Sequence, residues 1–220
     1  RPSHPRRGQA ASAEFLDLLA ADMQKPLDEI LKSSSALAAS GAGSGAHRIH
    51  AQALELREQL RKAHDFSALA EPCTSTPSER LLLGQLVAQT IAELRGRLGA
   101  QADSVTLTES PLPSPAVYGS RRWLHKGVAS CLLHGLRHAL PGHRVEVTVG
   151  ASGASAFVKV QGLRHRAAEA ARPASLDLAL SRRVAEVHGG SLLIEMDAER
   201  GGGELIMELP VGAPTSQDTR

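Results

Sequence analysis

Two amphipathic segments joined by a short glycine-rich stretch restrict the folds that the first third of this chain can adopt. From Ser12 to about Ser40 the apolar residues recur at steps of three, four or seven, the spacing of one face of an α-helix. The stretch GAGSG at 41–45 predicts a turn, and a second apolar stripe then runs to about Leu69. The two stripes consist of Phe15, Leu19, Met23, Leu27, Ile30 and Leu37, and of Ile49, Ala53, Leu56, Leu60 and Ala63. Residues 11–70 are therefore predicted to form an antiparallel helical hairpin.

A helical hairpin buries only one face of each helix. Two copies packed together form a four-helix bundle, which covers both stripes, so we expect a homodimer. The alternative is a hairpin that packs on a second domain of its own chain. The residues expected in the dimer or partner interface are Phe15, Leu19, Met23, Pro26, Leu27, Ile30, Ile49, Leu56 and Leu60.

The pattern changes after the proline-containing stretch at 71–78, which we interpret as a linker. Helical periodicity is found at 79–98, 121–140 and 174–187, and alternating runs typical of strands at 104–109, 143–149, 156–161, 191–197 and 203–210. The last four of these strands read as two antiparallel hairpins. Residues 79–212 therefore predict a two-layer α/β sandwich, which makes the whole chain α+β. Residues 1–10 are interpreted as a linker and 213–220 as a tail.

Composition excludes several classes of protein. Hydrophobic residues make up 42% and charged residues 22%, which is typical of a globular chain. A net charge of +2 gives little support to a nucleic-acid partner. Cys73 and Cys131 fit no metal-ligand spacing. No apolar run approaches the ~20 residues of a membrane span and no signal peptide is visible, so we expect a cytoplasmic location. Because the chain starts at Arg1, we read it as a piece of a longer protein with an upstream sensor domain.

Five segments, in this order, resemble the sensor histidine kinases of two-component signalling. FLDLLAADMQKPLDEI resembles the box that carries the phosphorylated histidine, and KAHDFSALAE resembles the end of the second hairpin helix. PLPSPAVYGSRRWLHKGVASCLLHGLRHAL resembles the connection into the asparagine-box helix. LDLALSRRVAEVHGG resembles the helix after the ATP lid, and GGGELIMELP the closing turn and last strand. The resemblance covers about residues 11–212 and implies a dimerisation hairpin followed by a Bergerat-type ATP-binding sandwich.

The residues that carry the chemistry of that family are replaced in this chain. Aligned on Pro26 and Leu27, Ala21 stands where the resemblance implies the phosphorylated histidine, followed by the acidic Asp22. A methyl group cannot accept a phosphoryl group. No histidine occurs between His4 and His47, so a shift of register does not restore one.

The implied nucleotide pocket is altered in the same way. Gly135 stands at the magnesium-binding asparagine, with Cys131 one turn earlier, and the chain contains no asparagine. Mg²⁺ prefers oxygen ligands, which glycine does not offer. Val160, two residues before Gly162, stands at the aspartate that recognises adenine, and no acidic residue occurs between Glu146 and Glu169.

The implied ATP lid lacks its glycines. Pro173, Ser175 and Asp177 stand where the resemblance implies glycine. Glycines there would let backbone N–H groups approach phosphates at a helix start. A carboxylate at Asp177 would instead repel a triphosphate, by on the order of 4 kcal/mol for a unit pair at ~4 Å with an effective dielectric constant near 20. His188 is expected to cap the end of its helix with a partly charged imidazole.

These losses predict a catalytically inactive histidine-kinase-like module without cofactor or metal. We expect it to dimerise and to couple the upstream sensor to a response-regulator receiver domain or an active histidine kinase, without autophosphorylation and without ATP. One alternative is a histidine phosphotransferase that uses His47, His50 or His64. Another is a sandwich that binds a different anionic ligand or nucleic acid through a basic surface made of Arg121, Arg122, Lys126, Arg137, His138, His143 and Arg144.

Overall fold

The computed structural model describes residues 22, 23, 26, 28–30, 32, 33, 43–70, 78–99, 104–109, 114–139, 144–163, 175–197 and 202–212. The named helices are α1 (Gly43–Ala70), α2 (Leu83–Leu98), α3 (Arg121–Arg137) and α4 (Leu176–Val187). The strands are β1 (Glu79–Leu82), β2 (Val105–Glu109), β3 (Ala116–Gly119), β4 (Val145–Ser152), β5 (Ser155–Leu163), β6 (Ser191–Asp197) and β7 (Gly202–Pro210). The chain divides into two compact units, Arg1–Pro72 with Ala174–Ala179, and Cys73–Pro173 with Leu180–Arg220.

The first unit is helical. Every described residue between Asp22 and Ser33 is helical, including the buried Pro26, as the apolar periodicity predicts. The rest of the predicted helix at 12–40 lies outside the described residues. Helix α1 begins at Gly43, so residues 43–45 of the predicted turn are helical, and residues 41 and 42 lie outside the described part of the chain. A glycine costs a helix about 1 kcal/mol relative to alanine, and tertiary context commonly overrides a penalty of that size.

The buried face of α1 is largely polar. Gln59, Lys62 and Asp65 are buried beside Ala63 and Leu69. Of the five residues predicted to form the stripe, Ala63 alone is buried: Leu60 is 47% exposed, Ala53 is exposed, and Ile49 and Leu56 are half-buried. Leu54, which the stripe did not include, is 40% exposed. Within the described part of the first unit, most of this stripe is therefore left uncovered.

The second unit contains a five-stranded mixed sheet in the order β2-β4-β5-β7-β6. Strand β2 runs parallel to β4, and the other neighbouring strands are antiparallel. Alternate residues of β4 and β5 are buried, and helices α2 and α3 contact each other and this sheet. Helix α4 approaches α3 closely at Gly127, where the Ser181 hydroxyl donates to the Gly127 carbonyl at 2.9 Å. A Cβ on Gly127 would lie 2.7 Å from Val184 Cγ1, so glycine is required there.

A separate two-stranded sheet corrects two of the sequence predictions. Residues 79–82 form β1 rather than the first turn of a helix, and the proline-rich connection contains β3. The two strands are antiparallel, with Glu79 opposite Gly119. A segment of four residues is too short to show a period that separates strand from helix, so its state is decided by its pairing with a strand almost forty residues away.

The remaining elements agree closely with their predictions. The β4–β5 connection is tighter than the predicted GASGAS linker, since β4 extends to Ser152 and β5 begins at Ser155. Helix α4 ends as a glycine cap should: Gly189 has φ of +76°, and the Gly190 N–H donates to the Ala185 carbonyl at 2.9 Å.

Candidate functional site

The residues at the implied magnesium and adenine positions pack against each other in the second unit. Gly135 on α3 faces Val160 on β5, and a Cβ at Gly135 would lie 2.9 Å from Val160 Cγ1. Val160 is fully buried, and so is Cys131, one turn earlier on α3, which forms no disulfide. The side chains that face Gly135 are apolar, and neither Gly135 nor Val160 offers a side-chain oxygen.

Gly162 keeps a backbone conformation that requires glycine. Its φ is +84°, in the left-handed region that side chains disfavour, and it lies at the register shift between Val160 and Leu163. A Cβ there would lie 2.6 Å from the Arg144 carbonyl oxygen. Gly162 thus has the backbone conformation of a required glycine. Val160, two residues earlier, has an apolar side chain where the resemblance implies an aspartate.

The first turn of α4 belongs to the first unit, and its amides are bonded to side chains of this chain. The Leu176 N–H donates to Asp22 Oδ2 at 2.8 Å, and the Leu178 N–H donates to Ser175 Oγ at 3.3 Å. A helix N-terminus attracts anions because its first amides are unpaired and its dipole is positive there. Here the carboxylate of Asp22 fills that role. Ser175 was predicted as a degenerate lid position, and its role as a cap was not.

Asp177 is buried in an ion pair, which changes the predicted role of its charge. Asp177 Oδ1 and Lys62 Nζ are 2.7 Å apart, with 1% and 2% of the two side chains exposed. Because Lys62 balances the carboxylate, the expected repulsion of a triphosphate by an unpaired Asp177 is wrong. Lys62 was missed, since nothing in the helical stripe distinguishes it from a surface lysine.

Charged groups continue along α1 beside Lys62. Arg61 contacts Glu58 at 2.7 Å and the buried Asp65 at 3.4 Å. The hydrogen bond from Arg61 to Glu58 is the main cause that raises the pKa of the guanidinium above its ordinary value. Arg61 therefore supplies a permanent positive charge to Asp65.

His188 is neutral and bonded through both ring nitrogens. Nδ1–H donates to the Val184 carbonyl at 2.7 Å, and Nε2 accepts the Ser120 N–H at 3.1 Å. Desolvation lowers the pKa of the ring below 6.5, and the bond to Val184 offsets this only in part. The expected charged cap at the helix end is therefore wrong. Gly119 is required beside the ring, because a Cβ there would overlap His188.

No protein-family model and no characterised protein sequence matches the chain. Solved structures do match. The Acinetobacter baumannii histidine kinase AdeS superposes with a TM-score of 0.68 over 86% of this chain and 97% of its own, at 11% identity. A histidine kinase from Burkholderia phymatum covers 89% of this chain and 98% of its own with a TM-score of 0.51 and 20% identity. The catalytic domain of histidine kinase ThkA covers 61% of this chain and 97% of its own, with a TM-score of 0.53 and 14% identity.

The chain has the histidine kinase fold. The predicted α+β fold with a sandwich of the histidine kinase ATPase type is confirmed, and the helical hairpin before it is supported in part. The nearly complete coverage of AdeS includes the part of the chain that precedes the sandwich.

Several residues that the sequence analysis placed in the site, the interface or the basic surface lie outside the described part of the chain. These are Ala21, Phe15, Leu19, Leu27 and Pro173 among the predicted site and interface positions, and His143 in the basic surface. Of the interface residues, Met23 and Ile30 are half-buried in the helical segment that contains Pro26. His47, His50 and His64 lie on α1.

Part of the predicted basic surface is organised around one aromatic ring. The Arg122 guanidinium carbon and the Lys126 ammonium nitrogen each lie 5.1 Å from the centre of the Trp123 ring. Both are cation–π contacts, so these two cations are positioned by the buried tryptophan. Within the described stretches, no group of three or more His, Cys, Asp or Glu side chains is arranged to hold a metal ion. Among the described helices, none combines the length and the apolar composition of a membrane-spanning segment.

Proposed function

We propose that this chain is a dimeric signalling module with the histidine kinase fold that neither binds ATP nor phosphorylates itself. The observation that supports this proposal most is that polar groups of the first turn of α4 are already bonded within the chain. Its Leu176 amide is bonded to the Asp22 carboxylate, and Asp177 is paired with Lys62. A helix that binds phosphate needs these amides free.

A nucleotide would have to displace groups that are already satisfied. Removing Asp22 from Leu176 breaks a charge-assisted hydrogen bond, and such bonds contribute roughly 1.5–3 kcal/mol. Drawing Lys62 away to a phosphate would leave Asp177 buried without its ion-pair partner, which is strongly unfavourable. The apolar contact between Gly135 and Val160 adds to this, because Mg²⁺ needs oxygen ligands.

The uncovered stripe of α1 supports dimerisation. Leu60 is 47% exposed, Ile49 and Leu56 are only half-buried, and the buried face of this helix contains Gln59, Lys62 and Asp65. A second copy that covers this stripe would complete a four-helix bundle. We propose that such a dimer couples an upstream sensor in the same chain to a response-regulator receiver domain or an active histidine kinase.

Isothermal titration calorimetry with ATP and Mg²⁺ tests the loss of nucleotide binding. We expect no binding heat, and no shift of the unfolding midpoint at millimolar nucleotide. A ligand present at 100 times its Kd stabilises a protein by about 2.7 kcal/mol, so micromolar binding would be evident in the unfolding measurement. Saturable binding with a micromolar Kd would refute the proposal.

A further inference from the structure

The five-stranded sheet of the second unit has one face against its helices and one accessible face. Buried and accessible side chains alternate along β4 and β5. Gly135 of α3 lies against Val145 and Val160, so the helices cover the face that carries the buried residues. On the opposite face, Glu146 and Glu195 are exposed. An accessible face is common in antiparallel sheets, so only its particular residues can indicate a partner.

Apolar side chains form the centre of this accessible face. Leu193 of β6 is 40% exposed and lies directly opposite the largely buried Ile206 of β7. The half-buried Phe157 of β5 lies diagonally next to Ile206. Its ring extends across Gly150 of β4, since a Cβ at Gly150 would lie 2.7 Å from Phe157 Cζ. Diagonal neighbours in a sheet are within reach of an aromatic side chain, so these residues form one apolar patch that crosses three strands.

Carboxylates surround this patch, and two of them face each other. Glu195 of β6 lies directly opposite Glu204 of β7, and like charges in that arrangement are destabilising. Lys159 offsets Glu204, with Nζ and Oε1 3.0 Å apart. Among the described residues, no ion pair involves Glu146, Glu195 or Glu208. Lys159 is the only lysine or arginine in the sequence of β4 to β7, so the accessible face is acidic.

We propose that the accessible face of this sheet binds a cationic amphipathic helix of another protein. The apolar stripe of such a helix would cover Phe157, Ile206 and Leu193. Lysines or arginines beside the stripe would meet Glu195 and Glu204 and relieve the repulsion between them, which a neutral or acidic partner could not do. The whole chain has a net charge of +2, so the attraction comes from this face and not from the protein as a whole.

This docking face goes beyond the proposed function and does not rest on it. The residues that form it all lie in the second unit, between Cys73 and Pro173 or after Leu180. Neither the loss of ATP binding nor self-association through α1 enters the argument. The partner of this face is recognised by charge and shape alone, so a synthetic helix of matching chemistry can stand in for it.

Fluorescence anisotropy of a labelled synthetic peptide, titrated with the full chain, tests the docking face. The probe is a helical peptide of about 18 residues, or five turns, with leucine along one stripe and lysine at the other positions. We expect saturable binding. A peptide with glutamate in place of lysine, and one with serine in place of leucine, should each bind at least tenfold more weakly.

Two variants of the chain locate the binding, each with a control on α4. Glu195→Lys should weaken binding of the leucine–lysine peptide at least tenfold. Glu186→Lys makes the same change of charge at an exposed glutamate of α4 and should leave binding unchanged. Leu193→Ala should weaken binding about threefold to tenfold, because it removes apolar contact area. Val187→Ala is its control, since Val187 is also 40% exposed but lies on α4.

The unfolding temperature separates a lost contact from a damaged fold. Glu195→Lys replaces the like-charge pair with opposite charges, so it should raise the unfolding midpoint while it weakens peptide binding. The proposal is overturned by the absence of saturable binding, by equal weakening in Glu195→Lys and Glu186→Lys, or by equally tight binding of the serine peptide. Self-association that Glu195→Lys abolishes would assign this face to a second copy of the chain and would overturn it as well. ATP calorimetry is a separate measurement, so the proposed function and the docking face can fail independently.

Discussion

The side chain of Val160 occupies the space that any side chain at Gly135 would need. A Cβ at Gly135 would lie 2.9 Å from Val160 Cγ1, and 3.4 Å from both Leu163 Cδ2 and Val145 Cγ1. The two positions implied to bind magnesium and adenine have thus become one packed contact. Restoring either polar side chain by itself would meet this packing, so a single substitution is not expected to restore nucleotide binding.

Gly135→Asn is expected to destabilise the chain without creating an ATP site. Forcing extra atoms into a packed interior typically costs about 1–3 kcal/mol, and the amide would also lack a polar partner on Val160. Urea unfolding would show the loss, and calorimetry would show no binding of ATP.

Gly96→Ala is the matched control, because Gly96 is also a helical glycine but a Cβ there would contact nothing within 4 Å. It is expected to raise the free energy of unfolding by up to about 1 kcal/mol. Val160→Ala combined with Gly135→Asn should cost less than the sum of the two single changes. Gly135→Ala, which adds only the Cβ that would lie 2.9 Å from Val160, should lower the free energy of unfolding, and an effect equal to that of Gly96→Ala would contradict the packing argument.

Lys62→Met is expected to lower the free energy of unfolding by about 3–5 kcal/mol, because it leaves the buried Asp177 carboxylate without its counter-ion. The double variant Lys62→Met and Asp177→Leu should recover most of that loss, since a buried ion pair can be replaced by packed apolar groups. Chemical denaturation of the two single variants and the double variant measures the coupling.

Lys32→Met is the corresponding control on the surface. Lys32 pairs with Glu29 at 3.3 Å and its side chain is 70% exposed, so its removal should change stability by less than roughly 1 kcal/mol. A Lys62 variant no worse than the Lys32 variant would show that the buried pair does not hold α4.

Leu60→Glu is expected to weaken self-association at least tenfold, about 1.4 kcal/mol, because it places a charge in the exposed stripe of α1. Sedimentation equilibrium at micromolar concentrations would measure it. Leu193→Glu is the control: Leu193 is 40% exposed on β6, in the sandwich. A wild-type chain that is strictly monomeric, or equal effects of the two variants, would contradict a dimer through α1.

The predictable part of the fold is the part whose residues repeat with a local period. Helices α3 and α4 and the hairpin of β6 with β7 were located to within a few residues, since each has a clear pattern of apolar residues. Glycines also follow α4 and begin β7. Strands β1 and β3 were missed because each is only four residues long and is defined by its pairing with the other.

The site was less predictable, because its contacts join distant parts of the sequence. The Leu176 amide and the Asp22 carboxylate are 154 positions apart, and no spacing rule connects them. The sequence alone places Asp177 at the start of a helix, and from this we expected its carboxylate to repel a triphosphate. Its partner Lys62 lies on another helix, and only the packing of α1 against the start of α4 explains why that charge is balanced.

Acidification is expected to destabilise the chain in part through His188. Its pKa is lowered below 6.5 in the folded state, so its contribution to stability is present in full above the unfolded-state pKa of about 6.5 and is lost as the pH falls towards the folded pKa. The structural reason is direct: a protonated Nε2 can no longer accept the Ser120 N–H. His188→Gln, whose amide oxygen is able to accept that bond without titrating, should reduce the loss of stability between about pH 7 and pH 5. Urea unfolding of both proteins across this range gives the comparison, and the difference between them isolates His188 from the other histidines. Identical pH profiles would mean that the bond to Ser120 does not depend on the protonation of His188.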